Sequence, residues 1–203
     1  MKIINLTEDS QIYTSNVYLI TGTWNALDDQ NTLVDVGRDP SIIEKIQNAR
    51  TGVGKRKLDQ VILTHSHYDH ASLSEQIKES FSPRIYAFSN SQKYVDTILR
   101  GGERLRIGDR LFEVIHTPGH TQDSICLYCD EDGVLFVGDT PVIIRVPGST
   151  YDEKFVQALL SIAERDVRAI YFGHGRPMLE NCNAVIRNSI MNMKKSRAVS
   201  IHL

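Results

Sequence analysis

The 203-residue sequence lacks any apolar run that approaches the ~18 residues of a membrane-spanning helix. The N-terminal segment "MKIINLTEDS" turns polar after six residues, so it lacks the apolar core of a signal peptide. From these two absences we expect a cytoplasmic protein with no membrane partner.

Cysteine and positive charge are also scarce. Three cysteines are too few, and odd in number, to form a disulfide framework, which fits a reducing compartment. The formal net charge is −2 at pH 7, so no strongly basic surface is available to hold a phosphate backbone. A dedicated nucleic-acid binder is therefore not expected.

The rest of the composition is that of an ordinary folded domain, with 41% hydrophobic and 24% charged residues. We find no repeat of fixed period, no low-complexity segment and no linker, so we predict a single domain over residues 1–203. Segments with strand and helix patterns alternate around a sheet-rich middle, which predicts a layered α/β (α+β) sandwich.

The periodicity of apolar residues predicts the individual elements. Strands are expected as a hairpin over 11–21, as single strands at 31–37, 59–64, 84–88 and 168–175, and as strand pairs within 103–117 and 124–139. Helices are expected over 40–50, 71–81, 89–99, 152–166 and 181–195.

Four metal-ligand residue types follow directly after the predicted strand 59–64. His65 and His67 are two apart in an extended segment, so their side chains point the same way and can converge on one ion. Asp69 and His70 lie one turn further, where a helix is expected to begin. Imidazole nitrogens and carboxylate oxygens together favour zinc, iron or manganese over calcium.

Three more candidates each follow a strand or a tight turn. His120 ends the turn "HTPGH", Asp139 follows "LFVG", and His174 follows "IYFG". The glycines at 138 and 173 would allow a sharp backbone turn before the ligand. Side chains at strand ends gather along one edge of a sheet, where sites in layered α/β folds are usually found. Seven groups are too many for one tetrahedral ion with an open position, and they predict two ions that share a ligand.

The motif "HSHYDH" after a strand, followed by "HTPGHT", "FVGDT" and "FGHG", resembles the metallo-β-lactamase superfamily. The motifs span residues 65–174, and the segments "NVYLI" and "LVDVG" extend the likeness towards the N-terminus. The resemblance implies a four-layer αβ/βα sandwich, with two mixed β-sheets flanked by helices and the site between the sheets.

The resemblance also implies a role for each candidate. His65, His67 and His120 would bind one divalent ion, and Asp69, His70 and His174 the other. Asp139 would bridge the two ions, and Asp69 and Asp139 are the candidate catalytic carboxylates. The two ions would be zinc, with iron or manganese as alternatives, and the family's hydroxide would lie between them to attack a small-molecule substrate.

Several other residues have competing interpretations. Asp35 either orients a liganding imidazole or caps its own turn at Gly37. His116 fits neither ligand group. The pair Cys126 and Cys129 lies on a predicted strand, where an offset of three points the side chains to opposite faces. Substrate contacts are unknown, and Arg145, Tyr151 and Arg176 remain unassigned.

The reaction stays open between three classes. The first is hydrolysis of a small thioester, lactone or lactam, and the segment from Gly138 to Ile162 is similar to the matching stretch of glyoxalase II. An aspartate at 139 instead of cysteine disfavours a dedicated β-lactamase, and Val142 replaces the tyrosine of a lactonase relative. The second is a persulfide dioxygenase with one iron. The third is an RNA-processing nuclease, which the length and charge disfavour.

Overall fold

The computed structural model describes residues 1–23, 28–90, 93–147 and 150–199. In these ranges the strands are β1 (Lys2–Asn5), β2 (Tyr18–Thr21), β3 (Thr32–Val34), β4 (Gln60–Ile62), β5 (Arg84–Ala87), β6 (Thr97–Ile98), β7 (Arg104–Ile107), β8 (Arg110–His116), β9 (Ile125–Cys129), β10 (Val134–Gly138) and β11 (Ala169–Phe172). The helices are α1 (Ser41–Asn48), α2 (Tyr68–Ala71), α3 (Ser74–Phe81), α4 (Glu153–Ala163) and α5 (Cys182–Val199).

The strands form two mixed sheets. The first has the order β1-β2-β3-β4-β5-β6, antiparallel from β1 to β3 and parallel from β3 to β6. The second has the order β11-β10-β9-β8-β7, in which only β10 and β11 run parallel. This arrangement, together with the helices, confirms the predicted fold class.

Three apolar clusters separate four layers. Tyr18 and Ile62 of the first sheet share a buried cluster with Phe112 and Phe136 of the second, so the two sheets pack face to face. The outer side of the first sheet is covered by α1 and α3, and that of the second by α4 and α5. Strand β9 serves two clusters, because Cys126 faces the α4–α5 side and Cys129 faces the other sheet. The predicted opposite orientation of these two free cysteines is therefore confirmed.

Two predicted elements are wrong. The predicted hairpin over 11–21 is replaced by a long connection from β1 to β2, because the side chain of Asn16 bonds to the carbonyls of Phe172 and Gly175 on the other half of the chain. The predicted helix over 89–99 is also absent from the described part of that segment, where β6 pairs with β5 instead. In both cases distant partners outweigh local propensity.

The predicted helix over 71–81 is divided into α2 and α3, and the C-terminal helix extends beyond its predicted end to Val199. No helix in the described ranges is both long and apolar enough to cross a lipid bilayer.

Candidate metal centre

The predicted ligands approach one another from four chain segments. The first segment follows β4 and carries His65 and His67, and it continues into the single turn of α2, which carries Asp69 and His70. The other three residues come from the second sheet: His120 from the loop after β8, Asp139 directly after β10, and His174 just after β11. The centre therefore lies where the ends of strands from both sheets meet.

Two glycines make this approach sterically feasible. Gly138 has φ +51, and a Cβ atom there would lie 2.5 Å from the Oγ1 atom of Thr64. Gly173 needs no left-handed conformation, but a Cβ atom there would lie 2.2 Å from Oδ1 of Asp139 and 2.6 Å from Cε1 of His70. A sharp turn was expected at both glycines; Gly138 makes it with a positive φ, whereas Gly173 has no positive φ and instead leaves space between Asp139 and His70.

One group of ligand atoms consists of three imidazoles. The nitrogens of His65, His67 and His120 lie within 4.8 Å of one another. Nε2 of His120 is 2.9 Å from Nδ1 of His67, and the two rings pack edge-on with centroids 4.6 Å apart. His67 and His120 are exposed, so this side of the centre is accessible from solvent.

A second group combines imidazole and carboxylate. Ligand atoms of Asp69, His70 and His174 also lie within 4.8 Å of one another. Oδ2 of Asp69 is 3.0 Å from Nε2 of His174 and 3.9 Å from Nε2 of His70. His70 is fully buried, whereas His174 is about one-third exposed.

Asp139 lies between the two groups. Its Oδ1 atom is 3.3 Å from Nε2 of His70, and its Oδ2 atom is 3.5 Å from Nε2 of His120 and 3.6 Å from Nε2 of His174. One carboxylate therefore contacts members of both groups.

Buried hydrogen bonds orient the rings of His65 and His70. The Asp35 carboxylate accepts from the backbone N–H and the hydroxyl of Thr64 and lies 2.8 Å from Nδ1 of His70. Because the single hydroxyl proton of Thr64 goes to Asp35, Oγ1 of Thr64 is left to accept from Nδ1–H of His65 at 3.2 Å. In both rings Nδ1 is engaged by these partners, so Nε2 faces the centre. The carboxylate of Asp35 thus contacts Thr64 and His70, not the turn at Gly37.

The pKa values of three residues in the site are strongly shifted, and those of the two buried histidines shift in opposite directions. Burial, aided by the neighbouring His70, lowers the pKa of His65 to about 4 and keeps its ring neutral at pH 7. Burial also opposes protonation of His70, but the Asp35 and Asp139 carboxylates outweigh it and raise the pKa to about 10. Despite burial, His70 holds the pKa of Asp139 at about 2. The Asp139 carboxylate is therefore ionised at pH 7, beside the position where a cation would bind.

The donor set fits a divalent metal ion. Among the described residues, the Nε2 atoms of His65, His70 and His174 are buried and have no hydrogen-bond partner of acceptable geometry. Unpaired buried polar atoms are costly unless a ligand satisfies them. Three such nitrogens aimed at one region, with carboxylate oxygens beside them, match the preferences of zinc, iron and manganese.

Tyr13 joins the centre without having been predicted. Its ring stacks on the imidazole of His174, with centroids 5.3 Å apart and planes inclined by 16°. Mainly through its charge, the Asp69 carboxylate raises the pKa of the Tyr13 phenol. The sequence gives no signal for this contact, because the segment around Tyr13 has a strand-like pattern and lies far from His174 along the chain.

The remaining candidates lie outside the ligand groups. His116 stacks on Phe88 with centroids 3.8 Å apart, and its Nε2 atom is 2.8 Å from the carbonyl oxygen of Gln122. Tyr151 packs against Phe155. The side chain of Arg145 is exposed, and Arg176 lines a groove of about 510 Å³ between β1, β2 and the loop after β11.

Comparison with known proteins identifies relatives of this chain. The family model described as the metallo-beta-lactamase superfamily matches residues 12–174. A hydroxyacylglutathione hydrolase from Hydrogenovibrio crunogenus is 30% identical over 181 residues, which cover 86% of this chain and 63% of the relative. A probable hydroxyacylglutathione hydrolase from Schizosaccharomyces pombe is 35% identical over 111 residues, or 53% of this chain and 43% of the relative. The chain thus spans less than two thirds of the length of these relatives.

Solved structures share the fold at lower identity. ETHE1 from Myxococcus xanthus superposes with a TM-score of 0.70 at 19% identity, covering 100% of this chain and 92% of that one. A metallo-beta-lactamase family protein from Thermus thermophilus gives a TM-score of 0.67 at 19% identity, covering 98% of this chain and 80% of that one. These similarities support the two-sheet fold described above.

Proposed function

Because the chain belongs to the metallo-beta-lactamase superfamily, we propose that it is a metal-dependent hydrolase that cleaves a small ester-like bond, with a thioester as the preferred substrate class. The observation that carries this proposal is the pair of ligand groups joined by the Asp139 carboxylate. The thioester preference is supported by the relatives, which are named hydroxyacylglutathione hydrolases.

Each ligand has an assigned place in the proposed centre. One ion would be held by His65, His67 and His120, and the other by Asp69, His70 and His174, with Asp139 shared. Zinc is the preferred ion for this set of nitrogens and oxygens, with iron or manganese as alternatives. Divalent ions held there would lower the pKa of bound water to about 7 and polarise the substrate carbonyl.

The protein's own residues would orient the ligands and move protons. Asp35 keeps Nδ1 of His70 as a hydrogen-bond donor, so Nε2 faces the centre. The contacts of Asp69 to His70 and His174 run through Oδ2, so we assign Oδ1 of Asp69 as the atom that accepts the proton of the attacking water. The exposed edges of His67 and His120 leave an open side for a small substrate to approach.

Two features disfavour the neighbouring substrate classes. An aspartate at position 139 departs from lactam-cleaving members that have a cysteine there. Val142, at the position where a lactonase relative has a tyrosine, is only 1% exposed, so its side chain offers neither a hydroxyl nor accessible surface to a substrate. Thioester cleavage therefore remains the best-supported reaction.

The test is a substrate panel on metal-defined protein. The panel contains a glutathione thioester, a thioester without glutathione, a lactone, a lactam and a phosphodiester, each assayed with zinc-, iron- and manganese-loaded enzyme. We expect hydrolysis of at least one thioester by the wild type, loss of that activity in Asp139→Asn, and full activity in Asp166→Asn, whose side chain is 72% exposed and pairs with Arg168.

The same panel distinguishes the alternatives. Phosphodiester cleavage without thioester cleavage would favour a nuclease. A single iron per chain, with oxygen uptake on a glutathione persulfide, would favour a dioxygenase that uses His65, His120 and Asp139. Either result would replace the thioesterase proposal.

A further inference from the structure

The connection between β1 and β2 is fastened to both segments that supply the second ligand group. The backbone N–H of Ser15 donates to the carbonyl oxygen of Asp69 at 3.1 Å, and that of Asn16 donates to the carbonyl oxygen of Gly173 at 2.6 Å. The side-chain amide of Asn16 also donates to the carbonyl oxygen of Gly175 at 2.8 Å. This connection therefore links the backbone of Asp69 to the residues on either side of His174.

Tyr13 extends this link to a ligand side chain. Its ring lies on His174 in a nearly parallel stack, although 68% of the tyrosine surface is exposed. The carbonyl oxygen of Tyr13 accepts from the Arg38 guanidinium at 3.3 Å, and the backbone N–H of Arg38 donates to the hydroxyl of Thr14 at 2.8 Å. Because so much of the ring is in solvent, these backbone contacts and the stack hold it in place, not burial in the core.

The contacts of Tyr13 are one-sided. Its ring stacks on His174, a member of the second ligand group, with the ring centroids 5.3 Å apart. The rings of the first ligand group pack on one another, since His67 and His120 contact each other and both contact His65. His65 is also the member that contacts the second group, through the ring of His70. A substitution at Tyr13 should therefore affect the second ligand group, which includes His174, more than the first.

We propose that Tyr13 is a positioning residue for the second metal ion, restraining His174 by ring stacking while the connection at Ser15 and Asn16 restrains the neighbouring backbone. Removal of the ring selectively lowers the affinity for the ion held by Asp69, His70 and His174. The ion held by His65, His67 and His120 keeps its affinity. This inference rests on the two-ion centre of the proposed function.

The experiment measures metal binding directly. Metal-free wild type, Tyr13→Leu and Tyr13→Phe are titrated with Zn²⁺ against a chromophoric chelator, and the zinc content after gel filtration is determined by elemental analysis. We expect two binding steps in the wild type. In Tyr13→Leu, one of the two steps should lose about tenfold to a hundredfold in affinity while the other is unchanged, as is usual when a partner of a metal ligand is removed. Tyr13→Phe keeps the stacked ring and should match the wild type in both steps.

A matched control comes from another aromatic–histidine stack in the described part of the chain. Phe88 lies on His116, which belongs to neither ligand group, so Phe88→Leu removes such a stack without touching the centre. Both zinc-binding steps of Phe88→Leu should match the wild type. Circular dichroism and thermal unfolding of metal-free Tyr13→Leu should also match, because the side chain is largely exposed.

The outcomes separate this inference from the proposed reaction. Unchanged affinities in Tyr13→Leu, or equal weakening of both steps, would overturn the positioning role. A wild type that binds one ion would overturn the positioning role together with the two-ion centre. Selective loss of one ion in Tyr13→Leu would support the positioning role even if no thioester is hydrolysed, in which case only the proposed reaction would fail.

Discussion

Replacement of Gly173 by alanine should disrupt the centre by steric displacement alone. The added Cβ atom would lie 2.2 Å from Oδ1 of Asp139, 2.6 Å from Cε1 of His70 and 3.0 Å from the carbonyl carbon of Gly138. The first of these distances is more than 1 Å short of an ordinary contact of 3.4 Å. Gly173 does not adopt a positive φ, so the alanine introduces no backbone strain of its own.

The size of the effect follows from that displacement. Metal–ligand distances tolerate changes of about 0.2 Å, so a shift of about 1 Å moves Asp139 out of bonding range. We expect Gly173→Ala to reduce turnover by about a hundredfold or more, since misplacing a catalytic group by about 1 Å typically has that effect. Overpacking should also lower the free energy of unfolding by about 1–3 kcal/mol.

A glycine in open space provides the control. Gly54 has φ +73, and no atom lies within 4 Å of the position that a Cβ would take, so Gly54→Ala destabilises the backbone by about 1–2 kcal/mol without a clash. Zinc content, turnover and urea unfolding are measured for both variants. If Gly173→Ala binds two ions and turns over at the wild-type rate, the close packing of Gly173 against Asp139 and His70 is not a requirement of the centre.

Three further predictions concern the carboxylates and the pH response. Asp35→Asn removes the charge beside Nδ1 of His70 and should weaken zinc binding by about tenfold to a hundredfold in chelator competition; an unchanged affinity would show that Asp35 is not needed to orient His70. Asp139→Asn should abolish turnover while the circular dichroism spectrum stays native. Unchanged activity of this variant would exclude a bridging role for Asp139. The metal-free protein should lose a few kcal/mol of unfolding free energy as the pH falls from about 6.5 to about 4, because unfolded His65 binds a proton that the buried ring does not. His70, with its raised pKa, contributes a constant amount over that interval, so a urea series in chelator should show a smaller pH dependence for His65→Asn.

The sequence was sufficient to predict which residues converge at the centre. Only a few residue types bind metal ions, and in this sequence several of them come directly after predicted strands. Residues in that position gather at one edge of a sheet, so their convergence could be predicted. The contact of Tyr13 with His174 could not be predicted in this way. It depends on the hydrogen bonds of Asn16 to Phe172 and Gly175, and no local pattern records partners so distant in the chain.

The predicted helix over residues 89–99 was wrong for a related reason. The backbone N–H groups of Asp96 and Leu99 donate to carbonyl oxygens of β5, so that segment is used to extend the sheet. Local spacing of apolar residues reports which side chains can share a face, but it does not report an available strand edge elsewhere in the fold.

Backbone contacts between the two halves of the molecule determine the geometry of the centre. The N–H of Ile125 donates to the carbonyl oxygen of Thr64 at 2.9 Å, which joins β9 to the segment that begins the first ligand motif. Gly138 lies directly against Thr64, and a side chain there would separate the two sheets at this point. Because these contacts join the backbones that carry the candidate ligands, the surrounding loops can differ in sequence while the positions of those side chains are retained.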